Sequence, residues 1–221
     1  GACDDNDPCT NDLCSLSQGC LNTEIPGCGI EVDVILCKDG TEPSEIISIS
    51  LANPSADQGV SGWDFTSGFF ASYSGQGQCQ LPIPPEGQHA WALGEACYTG
   101  GQDSSTSYKA TTELILSQAA KEILIGGGGQ VRVTALVGTP YSDTELATYV
   151  YLTDFSGNVE SFKSAPSLGG PGDTDWSEIG GAIPITNTQI DDVRVGVQAE
   201  GNTVPVGGWV DHFTAHVLNC N

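Results

Sequence analysis

The chain has 221 residues and carries 28 Asp and Glu against 6 Lys and Arg, a formal net charge of -22. Such an imbalance repels phosphate backbones and anionic lipid surfaces, which excludes nucleic acid as a partner. No apolar run reaches the roughly 18 residues of a membrane-spanning helix, so no membrane insertion is expected.

Nine cysteines and a recurrent Val/Ile/Leu alternation indicate a folded, disulfide-bearing chain of an oxidising setting, secreted or at the cell surface. The Gly-Ala-Cys start and the lack of Met read as a mature form whose signal peptide has been removed. Residues 1–28 form an acidic arm of low apolar content and no periodicity, whose order must come from a ligand or from disulfides among Cys3, Cys9, Cys14, Cys20 and Cys28. Zinc is the competing use of these cysteines, but C-x-x-C pairs are absent and the His residues lie far away in sequence. Asp4, Asp5, Asn6, Asp7 and Asp12 crowd oxygen ligands together, as either a loop calcium site or a solvated acidic turn. The run C-D-D-N-D-P-C-T-N-D-L-C, residues 3–14, resembles the short cysteine-rich repeats of secreted slime-mould and bacterial surface proteins, and the resemblance covers this segment alone.

Residues 29–39 alternate Ile30, Val32, Val34 and Leu36 against Glu31, Asp33, Ile35 and Cys37, which predicts an extra strand; with a linker it fills residues 29–44. The main domain is expected over 45–221. Residues 46–53 predict its first strand, with Ile47, Ile49 and Leu51 inward. Further strands are expected at A-W-A-L-G (90–94), 109–117, 122–125, 131–137, 147–153, 193–199 and 207–220, without an amphipathic helix and with the glycine run 126–129 as a hairpin connection. Short strands separated by turn signals predict an all-β antiparallel sandwich behind an irregular, disulfide-rich arm. On the last strand, period two puts Trp209, Asp211, Phe213, Ala215 and Val217 on one face and Val210, His212, Thr214 and His216 on the other. A carboxylate on an apolar face needs a cation, N–H donors or the rim of the core.

The stretch Asn53, Pro54, Ser55, Ala56, Asp57, Gly59, Trp63 and the closing Val210, Asp211, Phe213 resemble the opening and final-strand motifs of secreted carbohydrate-binding modules with a galactose-binding-type jelly roll. The resemblance spans roughly residues 45–218; Ala56 stands where the family has an aromatic, and Asp57 where it has Glu. It implies a jelly-roll β-sandwich in which Asp57 and Asp211 share a structural calcium with nearby carbonyls; the alternative is that Asp211 caps the strand or accepts N–H bonds. First and last strands of a jelly roll lie close, so a Cys37–Cys220 bridge is expected. Cys79 and Cys97 fall in one loop-rich region and are expected to pair, which leaves one arm cysteine over for another molecule, a free thiol or a different pairing.

No G-x-S-x-G or H-E-x-x-H is present, and the acid pairs Asp173/Asp175 and Asp191/Asp192 are expected on solvated turns, so no enzyme is predicted. Two functions remain. The arm and the strand at residues 30–36 suit a structural or adhesive subunit that adds to the edge of a neighbouring copy, giving a homo-oligomer or filament. Alternatively, Tyr149 and Tyr151 on one strand face, with Arg132 and Arg194 outward on theirs, suit a polysaccharide-binding face, provided the four converge; cross-strand packing is the other use of such tyrosines.

Overall fold

A computed structural model describes residues 10–15, 19–24, 34–56, 58, 61–67, 70–73, 89–94, 107–139, 141, 143–165, 168–169, 176–187, 189–202 and 206–221. The chain divides into two compact units, Gly1–Ile35 and Leu36–Asn221.

In the first unit β1 (Thr10–Ser15) and β2 (Gly19–Glu24) pair as an antiparallel hairpin, where an irregular arm was expected. The register sets Leu13 opposite Leu21 and Cys14 opposite Cys20. Apolar alternation does not announce these strands, because a two-stranded ribbon has no sheet-wide core face to fill. Cys3, Cys9, Cys28, Asp4, Asp5, Asn6 and Asp7 lie outside the described residues.

The second unit is an antiparallel β-sandwich. Its elements are β3 (Glu45–Ser48), β4 (Asp64–Ser67), β5 (Phe70–Tyr73), β6 (Ala90–Gly94), β7 (Ser107–Glu113), α1 (Gln118–Ile125), β8 (Gly129–Gly138), β9 (Thr144–Asp154), β10 (Val159–Lys163), β11 (Leu168–Gly169), β12 (Ser177–Pro184), β13 (Ile190–Gly201) and β14 (Gly207–Asn219). One 6-stranded sheet runs β10-β9-β13-β7-β4 with β11 beside β9; the other runs β12-β8-β14-β6-β5 with β3 beside β14. Alternation along the strands decides what meets between them. Val131, Val133, Ala135 and Val137 of β8 share one core with Val150 and Leu152 of β9 and Val193, Val195 and Val197 of β13. Trp63 packs into it against Trp91 and Phe213, with ring centroids 4.5 and 5.1 Å apart. Ile47, Ile49 and Leu51 pack on this core as expected.

Three expectations are corrected. The strand over 29–39 does not extend through 34–39. Instead, Asp39 accepts hydrogen bonds from the Thr41 N–H (3.0 Å) and hydroxyl (2.7 Å), Gly40 takes φ 83°, and the turn exposes Val34 to 66%. Local Asx-turn bonding outweighs the apolar alternation there; residues 29–33 lie outside the described residues. Residues 122–125, expected as a strand, belong to α1. Ser117 caps the helix, its hydroxyl accepting from the Ala120 N–H at 3.2 Å, and Ala120 and Leu124 are the buried residues, one turn apart. The glycine run consequently returns the chain from this helix into β8. Gly127 sits at φ 88°, and a Cβ at Gly129 would come within 2.6 Å of the Leu124 Cα. Finally, Asp191 and Asp192 belong to β13 and not to a turn, Asp192 half-buried beside a bulge. Asp173 and Asp175 lie outside the described residues, as do Cys79 and Cys97.

The expected Cys37–Cys220 disulfide is present, with Cα atoms 6.0 Å apart and a sequence separation of 183. It ties the turn after residue 36 to the end of β14. Because so long a loop is closed, the Cys37→Ser/Cys220→Ser double variant is expected to lose on the order of 2–5 kcal/mol of stability. Differential scanning calorimetry should record a Tm roughly 5–15 °C lower; an unchanged Tm would remove the bridge from the list of stabilising contacts.

Candidate functional site

Along β9, Leu146, Val150 and Leu152 enter the core, so Glu145, Tyr149 and Tyr151 face outward. The register carries this outward row across the sheet. Tyr149 lies opposite Gly196 of β13 and Lys163 of β10, Tyr151 opposite Arg194 and Ser161, and Gln198 of β13 opposite Lys109 of β7. One sheet face thus brings together Tyr149, Tyr151, Arg194, Gln198 and Lys109.

The two tyrosine rings stack with centroids 5.9 Å apart at an interplanar angle of 18°. Lys109 Nζ lies 4.7 Å from the Tyr151 ring centroid, a cation–π distance. The Tyr151 hydroxyl donates to Gln198 Oε1 at 3.5 Å, and Gln198 Nε2 donates to Ser107 Oγ at 2.9 Å and to Glu200. Arg194 is ion-paired with Asp64 of β4. Tyr151 retains 8% exposure and Tyr149 is half-buried. Tyr151 therefore holds its neighbour in place, and Tyr149 is the ring that a ligand can reach. Burial, reinforced by the Glu200 and Glu145 carboxylates, pushes the Tyr149 hydroxyl up to about 12. Burial also raises Tyr151, with Tyr149 and Glu200 adding to it. Both hydroxyls stay protonated donors at neutral pH.

Arg132 is not part of this face. It stands on β8 in the other sheet, opposite Ala182 and His216, with Glu178 at 3.7 Å. Of the four residues expected to converge, Tyr149, Tyr151 and Arg194 do. Lys109 and Gln198 were missed: alternation marks both as outward, but only the placement of β13 between β7 and β9 sets them beside the tyrosines.

The last strand departs from strict alternation. A β-bulge separates Asp211 from Thr214, with His212 at φ 46°. Val210 before it and Phe213, Ala215 and Val217 after it all join the core, so the bulge shifts the phase of the strand. Trp209 and Asp211 consequently leave the core face they were assigned to, yet both stay buried: Trp209 packs against Trp176 at 6.4 Å and Asp211 has 0% exposure. The turn that holds Asn53 (φ 51°) and Ala56 (φ 59°) reaches this bulge, the Pro54 carbonyl accepting from the Phe213 N–H at 3.0 Å. Asp211, one of the implied calcium ligands, is thus wholly buried within the last strand. Of the other implied calcium ligands, Asp57 lies outside the described residues and Asp12 sits in β1 of the other unit. Among the described residues no group of three or more His, Cys, Asp or Glu is placed to hold a metal, and no helix is long and apolar enough to cross a membrane.

Comparison with known proteins agrees with this architecture. A family model described as a Dictyostelium (slime mold) repeat matches residues 2–25. No curated protein sequence matches the chain. Among solved structures, the CBM22-1 xylan-binding domain of Paenibacillus barcinonensis Xyn10C superposes with TM-score 0.51 at 14% identity, over 80% of this chain and 97% of that one. The C-terminal family 22 carbohydrate binding module of Clostridium thermocellum Xyn10B does so with TM-score 0.51 at 13% identity, over 79% and 94%. The sandwich therefore has the jelly-roll fold that these carbohydrate-binding modules share.

His216, outward on β14, has Nδ1 3.2 Å from Ser48 Oγ and is held below the usual imidazole range by burial first and by the Arg132 charge second. The unfolded chain then takes up the proton more readily, so this residue's contribution is fully present above the unfolded value of about 6.5 and is lost as pH falls below it. Tm measured between about pH 7.5 and 5.5 is expected to fall less in His216→Gln than in the unaltered protein; parallel curves would refute the assignment.

Proposed function

We propose that the Leu36–Asn221 unit is a non-catalytic, exported carbohydrate-binding module that holds a polysaccharide on the outer face of the β10-β9-β13-β7-β4 sheet. The observation that carries this reading is the Tyr149–Tyr151 stack with Arg194, Gln198 and Lys109 beside it. A sugar presents apolar C–H faces and a rim of hydroxyls; a tyrosine ring takes the first, and planar amide and guanidinium groups take the second. Gly196, the Cα partner of Tyr149, has no side chain to cover the ring. The shared fold supports the reading but does not carry it, since one fold hosts many functions. The nine cysteines support export. Assembly through a strand at residues 30–36 is less favoured, because residues 34–36 are not in a strand.

In the other sheet, Asp211 of β14 and carbonyl oxygens of the turn at residues 53–56 would hold calcium, joining the opening turn to the last strand. The role is structural. It neutralises a buried carboxylate and adds stability through a ligand bound only by the folded state.

Two measurements test these readings. In affinity electrophoresis through gels containing soluble xylan or galactan, the full chain is expected to be retarded, and Tyr149→Ala to lose roughly five- to tenfold in affinity; free migration in every polysaccharide gel would overturn the binding reading. Separately, a chelator is expected to lower Tm by about 5–10 °C, as loss of a cation held well above its Kd requires. Asp211→Asn should have the lower Tm already and respond little to chelation. Equal Tm with and without chelator would eliminate the calcium.

A further inference from the structure

The sandwich has a second concavity that the tyrosine face does not use. A groove of about 960 Å³ is lined by β12, the edge strand of its sheet, by the turn after Cys37 and by the end of β10. Lys38, Arg132 and Lys163 all line it, three of the 6 Lys and Arg in the chain. Among the described lining residues the one carboxylate is Glu178. In a chain with 28 acids to 6 bases, a groove of ordinary composition would be acidic; this one reverses the ratio.

The three cations come from separate parts of the chain and make different contacts. Lys38 follows Cys37, which is bonded to Cys220, and its backbone N–H donates to Gln130 Oε1 at 2.8 Å. Arg132 rises from β8, its side chain 15% exposed and 3.7 Å from Glu178. Lys163 ends β10 and meets Glu145 at 2.6 Å, with both side chains solvated. Solvated pairs of this kind are weak and exchange readily for a ligand carboxylate. Phe162, Ser161 and Thr186 line the same groove.

We infer that this groove binds an acidic saccharide, a uronate-bearing segment of a polysaccharide. The Arg132 guanidinium offers a planar fork to a sugar carboxylate, and Lys38 and Lys163 line the same groove. Ser161 and Thr186 add residues with hydroxyl groups to the lining. A uronate chain carries at most one charge per ring. That avoids the charge density of a phosphate polymer, which the net charge of -22 repels. The site is separate from the Tyr149 face and does not depend on it; Lys163, the Cα partner of Tyr149, borders both.

Isothermal titration of the full chain at physiological ionic strength with tetragalacturonate, xylotetraose and tetraglutamate separates the outcomes. Tetragalacturonate is expected to bind at least about tenfold more tightly than xylotetraose. Lys38→Gln and Arg132→Gln should each weaken it by roughly tenfold, while Tyr149→Ala leaves it unchanged. Lys38 sits on an exposed turn, so its substitution remains informative even where near-UV circular dichroism shows Arg132→Gln to be misfolded. Equal affinity for the acidic and neutral sugars, or indifference to Lys38→Gln, overturns the site. Equal affinity for tetraglutamate overturns the saccharide and leaves a carboxylate-binding peptide groove in its place.

Discussion

Every strand of the sheet that carries Arg132 is anchored to β14 directly or through one neighbour: β8, β6 and β3 pair with it, β12 through β8 and β5 through β6. The strand can serve all of these partners only because its phase changes at the Asp211–Thr214 bulge. Without the bulge, Val210 and Phe213 would point to opposite faces; with it, both fill the core and Trp63 packs edge-on against Phe213. The same shift moves Asp211 out of the sandwich interior while leaving it fully buried. Just past the bulge, the Pro54 carbonyl of the turn that also bears Asn53 accepts from the Phe213 N–H, which ties the opening turn of the domain to its last strand.

The two candidate binding regions follow from a division of labour between sheet interior and edge. The tyrosine face lies over the middle of a sheet, where β9 is flanked on both sides and the register cannot slip without turning its core residues outward. Its side chains are therefore rigidly set, down to the cation–π contact of Lys109 with Tyr151. The cationic groove lies along the edge strand β12, and what fixes its backbone is of a different kind: the Cys37–Cys220 disulfide and the Lys38 N–H bond to Gln130. One region is suited to ring stacking and the other to charge recognition, although both draw on the same few cations of a very acidic chain.

Much of the sandwich is legible in the residue order. The alternation of Val131, Val133 and Val137, of Val193, Val195 and Val197, and of the second half of the last strand marks core faces correctly, because burial on one side of a pleat imposes period two. What misleads is equally physical. Asp39-Gly40-Thr41 forms a turn whose side-chain bonds override an apolar alternation, and α1 is so short that its buried pair, Ala120 and Leu124, leaves no helical pattern to count. The N-terminal hairpin, a two-stranded ribbon without a sheet-wide core face, shows no apolar alternation in its sequence.

At the candidate site, the outward direction of Tyr149, Tyr151 and Arg194 can be read from the strands that bear them, because orientation is a local property of a pleated chain. Which outward residues become neighbours cannot. Lys109 and Gln198 join the tyrosines, and Arg132 leaves them for a groove with Lys38 and Lys163, through pairings between strands far apart in sequence. By itself the sequence determined the acidity, the cysteine-rich arm, the β-sandwich class and the Cys37–Cys220 closure. Strand order and the bulge in β14, which exist only once the sheets have assembled, decided where the few cations and aromatic rings meet.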